Sequence, residues 1–121
     1  MTLAANVAVA LVALLHVAFL VLEMFLWDKP LGLRVFGQRL EAARATKVLA
    51  ANQGLYNGFL AAGLLWGLWL GTAGTPVVVF FLACVIVAGV FGGATASRSI
   101  LAVQALPGVV ALVLLLAARG A

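Results

Sequence analysis

Long apolar runs separated by three short breaks make up this chain, and the breaks hold most of its charge. Each run has about the length a helix needs to cross a hydrocarbon core of ~30 Å, roughly 20 residues. The pattern predicts an all-α fold, with four membrane spans over residues 3–27, 46–71, 76–96 and 100–118 packed as a four-helix bundle in a single domain, 1–121. The first run closes at Trp27-Asp-Lys-Pro30, an interfacial aromatic followed by charge and proline. No basic segment precedes it and no small-x-small cleavage site follows it, so it reads as a helix of the mature chain rather than a signal peptide.

The first break, Leu31 to about Ala45, carries Arg34, Arg39, Glu41 and Arg44, and its second half from Gln38 to Lys47 reads as helical and lying at the membrane surface. The second run repeats glycine at Gly63, Gly67 and Gly71, with Trp66 and Trp69 placed as an outer aromatic belt. Gly71-Thr-Ala-Gly-Thr-Pro76 is a tight uncharged turn. The third run ends in Gly89, Gly92, Gly93 and Ala96, a small-residue surface for close packing. A fourth helix starting at Pro107 would be only ~18 Å long, so Pro107 is expected inside the span as a kink that frees the Val103 carbonyl.

Composition sharpens this picture. With 67% hydrophobic and 8% charged residues among 121, the chain has too much apolar surface to hide in a soluble domain. Its formal charge of +4 reflects clustering at the breaks, which excludes the need for a nucleic-acid partner. Lys29, Arg34, Arg39, Arg44 and Lys47 surround the first break and Arg98 lies in the third, while Arg119 stands alone at the other side. The bias predicts an inner (plasma) membrane protein of several passes, basic loops in the cytoplasm and both termini outside. The lone Cys84 rules out an intramolecular disulfide and a cysteine metal site, and reads as a small core residue.

Candidate chemistry lies in the opening of the second run, Ala50-Ala-Asn-Gln-Gly-Leu-Tyr-Asn-Gly58. At 100° per residue Asn52 and Tyr56 share one edge and Gln53 and Asn57 the adjoining edge, while Gly54 and Gly58 lie opposite as a G-x-x-x-G packing face. Counted in from Trp27 and Thr46, His16 and Asn57 both lie roughly 16 Å deep, Glu23 at roughly 6 Å and Asn52 at roughly 9 Å. His16 is thus expected level with Tyr56 and Asn57, and Glu23 near Asn52, with Gln104 entering from the same half. The residues His16, Glu23, Asn52, Gln53, Tyr56, Asn57 and Gln104 define a polar small-molecule site in the cytoplasmic half. Plainer uses stand beside it: a His16–Asn57 stitch between helices, a Glu23 ion pair with Lys29, Lys47 or Arg44, amides as interhelical glue, and Lys47 snorkelling.

The blocks Leu22-Glu-Met-Phe-Leu-Trp27, Thr46-Lys-Val-Leu-Ala-Ala-Asn-Gln-Gly-Leu-Tyr-Asn-Gly-Phe-Leu-Ala61 and Val103-Gln-Ala-Leu-Pro107 resemble a family of small bacterial four-helix membrane proteins, domain-of-unknown-function family 1304. That resemblance implies fold and membrane location and supplies no activity. A local pattern at the start of the second span is similar to the second helix of styrene oxide isomerase, a four-helix haem enzyme. Where that enzyme places an iron-ligating His, this chain has Asn52-Gln53, which leaves His16 as its one imidazole for a haem.

Three functions fit these residues. In a small carrier, Glu23 and His16 titrate while Asn52, Gln53, Tyr56 and Asn57 orient a ligand. In a membrane enzyme acting on a lipophilic substrate, isomerase-like and haem-linked in one version, His16 and Glu23 are acid and base and Tyr56 a proton donor. In a structural or accessory subunit, the glycine faces bind a neighbour. A chain this small is expected to work in the bilayer as a homo-oligomer.

Overall fold

A computed structural model describes residues 1–120, excepting the side chains of Arg119 and Gly120. The charge of Arg119, used above to orient the chain, therefore lies outside the described side chains. Among the described residues the fold is all-α, with helices α1 (Leu3–Met24), α2 (Pro30–Phe36), α3 (Leu40–Ala45), α4 (Lys47–Trp69), α5 (Thr75–Thr95) and α6 (Leu106–Gly120). Among the described residues three helical stretches are long and apolar enough to cross a membrane: Leu3–Met24, Gly71–Thr95 and Leu101–Ala118.

The four-helix expectation is corrected in two places. The first break, expected to be helical only in its second half, holds a helix there, α3, and a further short helix, α2, before it. Pro30 starts α2, where its missing N–H is not needed, and Gly37 ends it at φ 60°, a left-handed conformation that suits glycine. The second expected span, α4, has the necessary 23 residues. It falls outside the apolar set because Asn52, Gln53, Tyr56 and Asn57 dilute its hydropathy. Boundaries move as well: α1 stops at Met24, leaving Trp27 in the following turn.

Two compact units make up the chain, Met1–Leu14 with Leu60–Ala121, and Leu15–Phe59. The first unit is organised by a fully apolar core of Ala5, Val9, Val12, Ala13, Leu64, Val78, Leu82, Val85, Ala111 and Leu115. Small residues let its helices close. A Cβ at Gly89 would lie 2.7 Å from the Ala105 nitrogen and 2.9 Å from its Cα, and one at Gly67 would lie 3.1 Å from the Val78 nitrogen. Gly71, at φ 66°, turns the chain into a 3₁₀ segment, Gly71–Gly74, ahead of α5.

Pro107 lies inside the apolar stretch Leu101–Ala118, as expected, with a backbone irregularity just before it. Leu101–Ala105 is a widened π turn in which the Leu106 N–H reaches the Leu101 carbonyl, five residues back. The wide turn sets α6 off immediately before the proline, so the irregularity lies N-terminal to Pro107. Gln104 sits on this turn, and its Nε2 makes a long contact, 3.5 Å, with the Val85 carbonyl.

Substitution at two glycines separates packing from conformation. Gly89→Ala drives a methyl into the Ala105 backbone and is expected to destabilise by about 1–3 kcal/mol. Gly37→Ala meets open space and loses only the left-handed preference, about 1 kcal/mol. Denaturation in mixed micelles, followed by circular dichroism, checks that order.

Candidate functional site

The second unit holds six of the seven candidate residues. Gly54 and Gly58 draw the start of α4 against the end of α1: a Cβ at Gly54 would lie 2.7 Å from Met24 Cγ and 3.1 Å from Glu23 Cβ, and one at Gly58 would lie 2.6 Å from Leu20 Cδ1. Rising numbers on one helix thus meet falling numbers on the other, so the two segments run antiparallel. Asn57 follows Gly54 by three residues and shares its edge. Its Nδ2 donates to Glu23 Oε1 at 2.5 Å, with Asn57 8% and Glu23 6% exposed.

Glu23 therefore meets Gly54 and Asn57, about one turn further along α4 than the expected Asn52. Glu23 lies one residue from the end of α1, whereas Gly54 and Asn57 lie two to three turns into α4, so the start of α4 runs on past the end of α1. His16, two turns along α1 from Glu23, is 0% exposed and lies edge-on to Phe19 with ring centroids 5.2 Å apart.

The expected polar stripe is divided. Asn57 turns into the protein, while Asn52 and Gln53 are exposed and Tyr56 is 61% exposed. The helix wheel explains why: the Gly54 edge, taken as a pure packing face, carries Asn57 with it. Gln104 belongs to the first unit and to the contact with Val85 already described.

Glu23 also escapes the ion pairs considered for it. Among the described residues, Lys47 Nζ contacts Asp28 Oδ2 at 3.1 Å and Arg39 Nε approaches Glu41 at 3.9 Å. The Lys47–Asp28 pair belongs to a clasp that the sequence reading missed. Trp27 Nε1 donates to the Ala43 carbonyl at 3.0 Å and to Thr46 Oγ1 at 3.2 Å, tying the turn after α1 to the start of α4. Asp28 and Lys47, opposite charges flanking the break, were the available signal.

The chemistry open to this site is that of a carboxyl, an amide and an imidazole. Among the described residues no group of three or more His, Cys, Asp or Glu is placed to hold a metal ion. A haem ligand needs an open face beside its imidazole, and His16, wholly enclosed and against Phe19, does not fit that role. A separate cavity of about 620 Å³ lies in the first unit, lined by Met1, Thr2, Thr72, Thr75, Pro76 and Leu115 among others, and none of the candidate residues lines it.

The fold and site define an all-α protein with membrane-length apolar helices and a buried acid–amide pair. The profile described as "Protein of unknown function (DUF1304)" matches residues 10–116, and the chain belongs to that family. It is 29% identical over 106 residues to the "Uncharacterized protein YpaA" of Lactococcus lactis subsp. lactis (strain IL1403), covering 86% of this chain and 89% of that one. No solved structure matches it.

Two measurements test the geometry. Glu23→Leu and Asn57→Leu, which each strand a buried partner, are expected to destabilise by about 1–3 kcal/mol. The double variant should lose less than their sum, with a coupling of about 0.6–1.7 kcal/mol. Strictly additive losses would mean that the pair does not interact.

The second concerns the clasp. The hydrogen bond from Lys47 holds the Asp28 carboxyl below the usual carboxylate range. A depressed folded-state pKa makes the contact stabilising above the unfolded value, and that contribution disappears as pH falls through the folded one. Lys47→Met should move the Asp28 carboxyl titration upward, read from its ¹³C shift in micelles.

Proposed function

We propose that this is a four-pass plasma-membrane carrier for a small polar molecule, with both termini outside, in which Glu23 is the proton-binding group. In this reading α4 is the fourth crossing, and its polar residues are the reason it carries less hydropathy than the others. The observation behind the proposal is the Glu23–Asn57 pair: a carboxyl enclosed in an apolar helix and met by an amide instead of a cation.

An ionisable side chain inside a membrane helix is expensive to keep and marks ion or substrate pathways. A cation beside Glu23 would favour a static ion pair. An amide instead accommodates either protonation state, because Asn offers both a donor and an acceptor. His16, on the same edge of α1 two turns away, supplies an imidazole as a second group able to carry a proton. Proton binding at Glu23 would turn the Asn57 amide so that its Oδ1 accepts from the carboxyl and its Nδ2 is offered to a ligand; departure of the ligand and loss of the proton would restore the Nδ2–Oε1 contact.

Proteoliposomes containing a pH-sensitive dye provide the test. A pool of small cytosolic metabolites, added outside, should produce proton movement with the natural chain and none with Glu23→Gln. Equal movement with both proteins removes Glu23 from the mechanism, and an absence of movement with the natural chain removes the carrier reading.

A further inference from the structure

The outer face of α4 in the second unit has a composition that lipid does not suit. Leu49, Asn52, Gln53, Tyr56 and Phe59 are all exposed there. Leu49, Asn52, Tyr56 and Phe59 follow one another at steps of three, four and three residues, the spacing of a helix–helix seam. Asn52 and Tyr56 occupy the middle of the exposed arc, and Ala50, Gly54 and Asn57 the buried one. The Tyr56 and Phe59 rings lie 6.1 Å apart on that same face, giving the amide an aromatic flank.

At an aqueous surface these residues would be ordinary. At membrane depth the amides have no solvent partner, and leaving them unpaired is costly. We infer that this face is the seam on which a second copy of the chain docks, α4 against α4, with Asn52 facing its counterpart across a two-fold axis along the membrane normal. The inference rests on the proposed crossing by α4 and does not require the proton chemistry of Glu23.

Two arguments select a second copy over another protein. A carboxamide has both donors and acceptors, so Asn52 is complementary to itself, as buried asparagines are in paired helices. The positive charge bias also inserts every copy the same way round. A second copy then presents its own Asn52 at the same depth with no further design, whereas an unrelated helix would need a polar group of its own at that level. Phe59 and Leu49 close the seam above and below by apolar contact.

Cross-linking in native membranes tests the assignment, starting from a Cys84→Ala chain, which is free of thiols. Mild oxidation of Asn52→Cys and Tyr56→Cys chains should give a species of twice the chain mass. Val87→Cys, exposed on α5, should not. By energy transfer between labelled copies in lipid, Asn52→Leu should weaken association about three- to tenfold, the effect of losing one or two interhelical hydrogen bonds.

The assignment falls if Asn52→Cys and Tyr56→Cys cross-link no better than Val87→Cys, if their adducts contain only other proteins, or if Asn52→Leu associates as well as the natural chain. Rapid reaction of Asn52→Cys with a membrane-impermeant maleimide would overturn the membrane depth of α4, and the seam with it. A shielded position without cross-links would overturn the seam alone, leaving the carrier reading to the Glu23→Gln measurement.

Discussion

The hydrogen bond from Asn57 to Glu23 sets the terms for the second unit. Both groups are nearly excluded from the surface, and a buried acid or amide must find its partners within the protein. Forming the bond requires close backbones, because an asparagine side chain is short. Gly54 and Gly58 supply that approach, and Ala50 continues the narrow edge. Glycine placement, helix contact and polar pairing are therefore one arrangement: enlarging Gly54 would move Asn57 away from Glu23 even though neither polar residue had changed.

The first unit uses the same close approach without polar chemistry. Gly89 lies on the Ala105 backbone, Gly93 against Leu101 and Gly63 against the Phe81 ring. The helices there gain dispersion contacts, and a small residue is worth more than a large one wherever two backbones approach. The π turn at Leu101–Ala105 fits this setting, since Gly89 abuts its last residue and Gly92 abuts Ile100 just before it. The turn's irregular backbone is thus packed against small residues of α5.

The helices were legible because apolar length and glycine spacing survive in the sequence almost directly. Gly54, Gly58 and Gly89 could each be read as contact points from spacing alone, and contacts occur at each. The division of the polar stripe was harder to read. Asn57 lies between the amide edge and the glycine edge, and a helical wheel does not say where a neighbouring helix ends its coverage. Asn52 and Tyr56, grouped with it on the wheel, consequently face outward. The level of Glu23 was also illegible, because it depends on a connector folded into α2 and α3 whose thickness no residue count contains.

That connector is best understood as a spacer. Trp27 Nε1 reaches two acceptors at the end of α3 and at Thr46, while Lys47 reaches back to Asp28, so both ends of the spacer are fixed to one another. Its lower turn is tightened by Gly32, whose missing side chain leaves room for the Leu26 carbonyl. An exposed ion pair contributes little stability by itself. Its value here is geometric: with Trp27 it fixes where α4 starts relative to the end of α1, and hence which turn of α4 Glu23 meets. A slip of one residue along α4 would rotate the facing surface by about 100° and replace Asn57 with Tyr56 or with Gly58. The clasp in the connector and the acid–amide pair within the helices therefore constrain the same register from opposite ends, and neither is sufficient without the glycines between them.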